Sequence, residues 1–133
     1  DADTDIVVVH DGVRPFVTSR MIRETVDAAR DHGAAITAIP VSDTVKRVNG
    51  QGFVERTIDR DGLWRVQTPQ AFRYLLLKEA LEKAFADSYY GTDEGALIEY
   101  IGKAVKIVTG SELNIKITKP EDLVLGQKIV SLM

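Results

Sequence analysis

An apolar run from Ile6 to His10 (IVVVH) stops abruptly at the charged turn Asp11 to Phe16 (DGVRPF). A short Val-rich run bounded by turn residues predicts a strand buried on both faces, as in a parallel sheet. Ligands in such sheets gather beyond the carboxyl ends of the strands, so Asp11 and Arg14 stand where chemistry is expected. The same residues also suit a plain turn, with Asp11 capping backbone donors, Arg14 paired to it and Pro15 setting the angle. Taken alone, the turn leaves both readings open.

Beyond the turn, Thr18 or Ser19 can cap a helix running to about His32, with Ile22, Val26 and Ala29 on one face and Gly33 as its stop. Ala34 to Val41 (AAITAIPV) is again strand-like, and strand, helix, strand with short connections predicts a right-handed crossover and a parallel sheet. Between Thr44 and Ile58, the β-rich pieces TVKRV and FVERTI flank NGQG, whose Asn49-Gly50 is a strong turn signal. This predicts a hairpin arm over about 44–60. Its charges, Lys46, Arg47, Glu55 and Arg56, leave little apolar surface for a core, so the arm is expected to project or to meet another subunit.

Gly62 to Phe72 (GLWRVQTPQAF) returns the chain to the body. A long amphipathic helix is expected to follow to about Asp87, with Leu77, Leu81 and Phe85 inward and Glu79 facing Lys83. Thr92 and Asp93 offer caps for a short helix to about Tyr100, which Gly102 ends, and VKIVTG predicts a strand. Asn114 to Thr118 (NIKIT) reads as a further short strand. Thr118 with Glu121 forms a capping-box pattern around Pro120 for a terminal helix. The expected fold is α/β: a layered, mostly parallel sheet with a projecting β-hairpin, in a single domain over 1–133.

At 133 residues and 44% hydrophobic, the chain can bury one core and not two. Its net charge of -3, with both signs interspersed, argues against nonspecific nucleic-acid binding. The chain has no cysteine and only two histidines, which excludes disulfides and thiolate chemistry and disfavours a His-rich zinc site. Any divalent metal would be a hard ion held by carboxylates and phosphates. With no apolar run of membrane-spanning length and no visible leader, a soluble cytoplasmic protein is expected.

Polar residues gather at the predicted strand ends: Asp11 and Arg14, Asp43 and Thr44, Thr68, Thr92 and Asp93, and Lys116. Each has a plainer use. Thr92 can be a helix cap, Asp43 and Thr44 can turn the chain, and Lys116 can be solvated. Together they suit a phosphorylated polyol or a nucleotide with Mg²⁺: Arg forks onto phosphate oxygens, Thr donates, and Asp takes sugar hydroxyls or metal.

The motifs HDGVRPF, PVSDTVKR, TIDRDGLWRVQTPQAF, GTDEGALIEY and GSELNIKITKPEDL occur in that order over nearly the whole chain. In this they resemble the later half of the 2-C-methyl-D-erythritol 4-phosphate cytidylyltransferase family. The resemblance implies a fold like that of nucleotide-diphospho-sugar transferases (Rossmann-like), a homodimer and Mg²⁺. It also implies transfer of a cytidylyl group from CTP to the polyol phosphate, releasing pyrophosphate, in the non-mevalonate route to isoprenoids. On this resemblance Asp11 and Arg14 contact the polyol phosphate, with Asp11 near the metal. Thr44 and Arg60 hold the substrate phosphate from the neighbouring subunit through the arm. Thr68 and Thr92 are further active-site positions, and Lys116 is a catalytic cation beside the reacting phosphates.

In that family a glycine-rich basic loop near the amino terminus cradles the CTP triphosphate, and this chain carries no matching stretch. The expectation is a carboxyl-terminal portion that does not turn over CTP in isolation and that exposes sheet edge, favouring association. Smaller departures are Gly12-Val13 within the turn motif and Gly95-Ala96 after TDE. Two other functions stay in view. One is a ribitol 5-phosphate cytidylyltransferase, against which DTVKR and TIDRDGLW speak; the other is a non-catalytic dimerisation or binding piece.

Overall fold

The computed structural model describes residues 3–133. Thr18 opens helix α1 (Ser19–His32) by accepting the Met21 N–H on its Oγ1 at 3.1 Å, and Gly33, at φ 96°, closes it where a side chain would be strained. The strands are β1 (Ile6–Val9), β2 (Ala34–Pro40), β3 (Val45–Val48), β4 (Val54–Ile58), β5 (Trp64–Arg73) and β6 (Lys106–Thr109). Three further helices follow, α2 (Tyr74–Ala86), α3 (Glu94–Tyr100) and α4 (Pro120–Ser131).

The sheet is mixed rather than mostly parallel. Its order is β1-β5-β2-β6; β5 runs antiparallel to both β1 and β2, while β2 and β6 are parallel. The crossover from β1 through α1 to β2 does join strands of the same direction. What the sequence concealed is that β5 slots between them. Its stretch GLWRVQTPQAF reads as a connection because Gln67, Pro69 and Gln70 interrupt the apolar pattern. The strand buried on both faces is therefore β2, together with the second half of β5, while β1 is partly exposed at the sheet's end.

Alternation along these two central strands divides the core. Ala35, Ala71 and Val108 pack with Ala29 of α1 on one face. Ala34 and Phe72 pack with Leu77 and Ala80 of α2 and Ile98 of α3 on the other. Two inward faces differ from expectation. In α1, Met21, Thr25 and Ala29 are buried and Ile22 is exposed; in α2, Leu77, Ala80 and Ala84 are buried, while Leu81 and Phe85 face out. Small residues let α2 approach α3 and the sheet closely, so the larger apolar residues at the helical spacing fall outside that contact. Lys83 pairs with Asp87 at 3.2 Å rather than with Glu79.

NIKIT is extended but forms no strand: its Ile117 N–H donates to the Val13 carbonyl at 2.8 Å without a ladder around it. The capping of α4 is displaced by one residue, because Asp122, not Glu121, reaches back to the Thr118 and Lys119 N–H groups at 3.0 and 2.9 Å. The expected hairpin forms. β3 and β4 pair antiparallel as a separate two-stranded sheet, with Asn49 Oδ1 accepting from the Gln51 and Phe53 N–H groups, each at 3.0 Å.

Candidate active site

Register creates the site. Gln70 of β5 sits opposite Ile36 of β2 and Val66 opposite Ala38, so Gln67, Thr68 and Pro69 bulge against the single residue Thr37. The bulge lies beside the end of β1, where Val9 pairs with Gln70 and the chain enters the turn at His10. Thr68 Oγ1 accepts the Asp11 N–H at 3.0 Å and lies 2.9 Å from His10 Nδ1. The turn is closed by the Arg14 N–H donating to the Asp11 carbonyl at 3.0 Å.

The loop after β6 brings in the remaining groups. Arg14 Nη1 donates to the Asn114 carbonyl at 2.7 Å, and Lys116 Nζ lies 3.7 Å from Asp11 Oδ2. Arg14 Nε lies 3.4 Å from the same oxygen, so one carboxylate stands between two cations. The Arg14 side chain is 13% exposed, which makes that charge the most enclosed of the three. Asp11 and Arg14 pair, as the plain turn expects, and they do so at a strand end facing a cleft.

That cleft has a volume of about 620 Å³ and is lined by Asp11, Arg14, Thr68, Thr92 and Lys116 among others. With Asp93, six of the nine residues singled out from the sequence therefore share one cavity. Thr92 lines it while capping of α3 falls to Asp93, whose Oδ1 accepts the Ala96 N–H at 2.8 Å. Thr44 and Arg60, with Asp43, lie outside the cleft near the base of the arm, exposed; there Arg60 Nη1 donates to the Ser42 carbonyl at 2.9 Å.

Sequence reasoning missed three buried amides: Gln67 and Gln70, which line the cavity, and Asn114, which bonds to its wall from outside the lining. Gln70, almost fully buried, donates from Nε2 to Asp93 Oδ2 at 3.0 Å and accepts the Gly95 N–H on Oε1 at 3.1 Å, tying β5 to the start of α3. Asn114, fully buried, donates from Nδ2 to Gln67 Oε1 at 3.1 Å and to the Thr68 carbonyl at 2.9 Å. Gln67 donates in turn to the Ser111 carbonyl at 2.9 Å. The available signal was polar amides inside apolar stretches, which burial obliges to be hydrogen-bonded.

The lining carries the acids Asp11, Asp93, Glu94 and Glu99 against the cations Arg14 and Lys116. Two phosphorylated ligands would need further positive charge there. No cluster of three metal-ligating side chains exists among the described residues. Both cation contacts of Asp11 fall on Oδ2, so the donor set fits a magnesium ion held by one carboxylate, with phosphate and water oxygens completing its shell, and does not fit a site built from protein groups alone.

Residues 1–132 match the family profile described as IspD, 2-C-methyl-D-erythritol 4-phosphate cytidylyltransferase. The chain is 53% identical over 130 residues to the protein of that name from Geobacillus kaustophilus, covering 98% of this chain and 57% of the relative. It is 51% identical over 123 residues to the one from Syntrophus aciditrophicus, covering 92% and 53%. The crystal structure of 4-diphosphocytidyl-2C-methyl-D-erythritol synthase from Anaerococcus prevotii superposes with a TM-score of 0.88 at 37% identity, covering 98% of this chain and 59% of that one. The chain spans about half the length of the curated relatives it matches.

Proposed function

For a chain that belongs to the 2-C-methyl-D-erythritol 4-phosphate cytidylyltransferase family, we propose that it supplies the polyol-phosphate side of the site that transfers a cytidylyl group from CTP. The observation that carries the reading is the convergence of Asp11, Arg14, Thr68, Thr92 and Lys116 on one cleft at the strand ends. In this reading residues 1–133 act as one cytoplasmic domain of a nucleotide-diphospho-sugar-transferase-like, Rossmann-like fold. The arm at about 44–60 reaches a twin subunit in a homodimer and lends Thr44 and Arg60 to its cleft.

The chemistry asks for placement more than for a base. A phosphate monoester is already a nucleophile near neutral pH; its oxygen attacks the α-phosphorus of CTP, the bond to the β-phosphate oxygen breaks, and pyrophosphate leaves with that electron pair. Arg14, enclosed and tethered to Asn114, is pre-oriented to fork onto the polyol phosphate. Lys116, half-exposed and reaching over Asp11, is free to follow charge onto the reacting phosphates. Asp11 would hold Mg²⁺ by one oxygen, and the ion when bound offsets the charge of the assembled phosphates.

The test is pyrophosphate release from CTP and 2-C-methyl-D-erythritol 4-phosphate by the protein that carries this chain, with ribitol 5-phosphate alongside. Turnover is expected with the first polyol phosphate and not the second. Lys116→Ala should lower kcat by about 100-fold with little change in KM, as loss of a charge-stabilising donor does. Arg60→Ala should raise KM for the polyol phosphate by about tenfold, as loss of one charged contact does. Equal loss of kcat and polyol affinity in the lysine variant, or an unchanged KM in the arginine variant, would remove that residue from its role.

A further inference from the structure

Four residues around the opening turn close a ring of hydrogen bonds. His10 Nδ1 lies 2.9 Å from Thr68 Oγ1, and the Thr68 carbonyl accepts from Asn114 Nδ2 at 2.9 Å. The Asn114 carbonyl accepts from Arg14 Nη1 at 2.7 Å, and the Arg14 carbonyl lies 2.9 Å from His10 Nε2. Thr68 and Arg14 line the cleft; His10 and Asn114 are outside its lining, and each bonds to both of them.

The direction of the protons in this ring follows from elementary bonding. A carbonyl can only accept, so His10 Nε2 carries the hydrogen toward Arg14. In a neutral imidazole Nδ1 is then a bare acceptor, and the Thr68 hydroxyl must donate to it. Thr68 Oγ1 also accepts the Asp11 N–H at 3.0 Å. A hydroxyl has one hydrogen and two lone pairs, so a single acceptor position remains toward the cleft. A phosphate oxygen, itself only an acceptor, finds no partner there; a ligand hydroxyl does.

We propose that His10 is a positioning residue whose imidazole takes the hydroxyl proton of Thr68, so that Thr68 presents a lone pair to a hydroxyl group of the polyol while Arg14 takes the phosphate. This rests on the assignment of the cleft to a polyol phosphate. It changes the part expected of Thr68 from the sequence, where threonine was read as a donor.

Two variants separate the nitrogens. In His10→Asn the side-chain oxygen falls where Nδ1 stood and still accepts from Thr68; in His10→Gln the amide nitrogen falls near Nε2 and still donates to Arg14, but the acceptor is lost. Steady-state kinetics of the protein that carries this chain should give a KM for the polyol phosphate within about threefold of native for His10→Asn and about tenfold higher for His10→Gln, kcat moving little in either. Equal effects in the two variants, or none, would overturn the proposal. A second measurement is independent of turnover: in the ¹⁵N-labelled protein that carries this chain, the His10 ring signals are those absent from the His10→Asn variant. At alkaline pH that ring should show a protonated Nε2 and a bare Nδ1. A protonated Nδ1 would overturn the proposal whatever the kinetics. A protein with no cytidylyl transfer to the erythritol phosphate but with the bare Nδ1 would reject the assigned reaction and leave the imidazole's part in place.

Discussion

Asn114 shows how much a single buried amide can organise. Its Nδ2 serves two acceptors, its carbonyl anchors Arg14, and its own Oδ1 is buried without a partner among the described residues. Replacing it with alanine leaves the Thr68 carbonyl and Gln67 Oε1 unpaired, a cost of about 1–3 kcal/mol per buried acceptor, reduced by removal of the orphaned Oδ1. Asn114→Asp keeps the shape but sets a buried carboxylate against the Thr68 carbonyl. It should therefore melt lower than Asn114→Ala, both below native, in thermal denaturation followed by circular dichroism. An aspartate variant as stable as native would mean that the amide is not donating there. Gly110 packs on the same cluster: a Cβ would run into Gln67 Oε1 and lie 2.6 Å from Thr37 Cγ2, so only glycine lets the loop pass this close.

At the scale of elements, α2 and α3 are joined at their ends by exposed side chains. The Tyr100 hydroxyl donates to Asp87 Oδ2 at 2.6 Å, and the Tyr100 ring stacks on Tyr89 with centroids 4.1 Å apart. The Tyr100 bond, with help from Lys83, holds the Asp87 carboxyl below its ordinary 3.8, and the bond to Asp87 holds the Tyr100 phenol above its ordinary 10.0. The signs oppose each other. Stability from the depressed carboxyl is present above 3.8 and lost as pH falls through its lowered value; stability from the raised phenol is present below 10.0 and lost as pH rises through its raised value. The melting-temperature gap between native and Tyr100→Phe should accordingly be small, flat across neutral pH, and closed at both extremes. A gap that persists in strong acid would mean that the hydroxyl stabilises by something other than its bond to the ionised Asp87 carboxylate. Helix α2 also shows why periodicity misled: Leu81 and Phe85 sit at the same spacing as Leu77, yet Phe85 is 89% exposed, because the packing on α3 and the sheet is made through Leu77 and Ala80, and Ala84 is the next residue buried.

At the scale of the whole molecule, the arm stands apart from the four-stranded sheet as a two-stranded ribbon. Such ribbons are marginal alone. Its apolar residues Val48, Phe53 and Val54 are exposed, Phe53 at 71%, which suits cover by a second copy. If the arm dimerises the protein, Phe53→Asp should shift the mass in multi-angle light scattering from dimer toward monomer at a given concentration. An unchanged mass would take Phe53 out of the interface. Among the described residues no helix is long and apolar enough to cross a membrane.

The sequence alone determined what local chemistry decides: the start and stop of α1, the Asn49 turn of the arm, the alternation of strand and helix, and the identities of Asp11, Arg14, Thr68, Thr92 and Lys116 as residues worth following. These are legible because caps, turns and charged strand ends are set by neighbours a few positions away. Only the tertiary structure decided that β5 enters the sheet antiparallel, that NIKIT stays out of it, and which face of α2 turns inward. It also decided that Gln70 lines the cleft and that His10 and Asn114 bond to residues that do. Those outcomes depend on partners dozens of residues distant, 46 for Asn114 and Thr68 and 58 for Thr68 and His10, and no local pattern records which buried amide or ring nitrogen will meet which acceptor until the chain has folded.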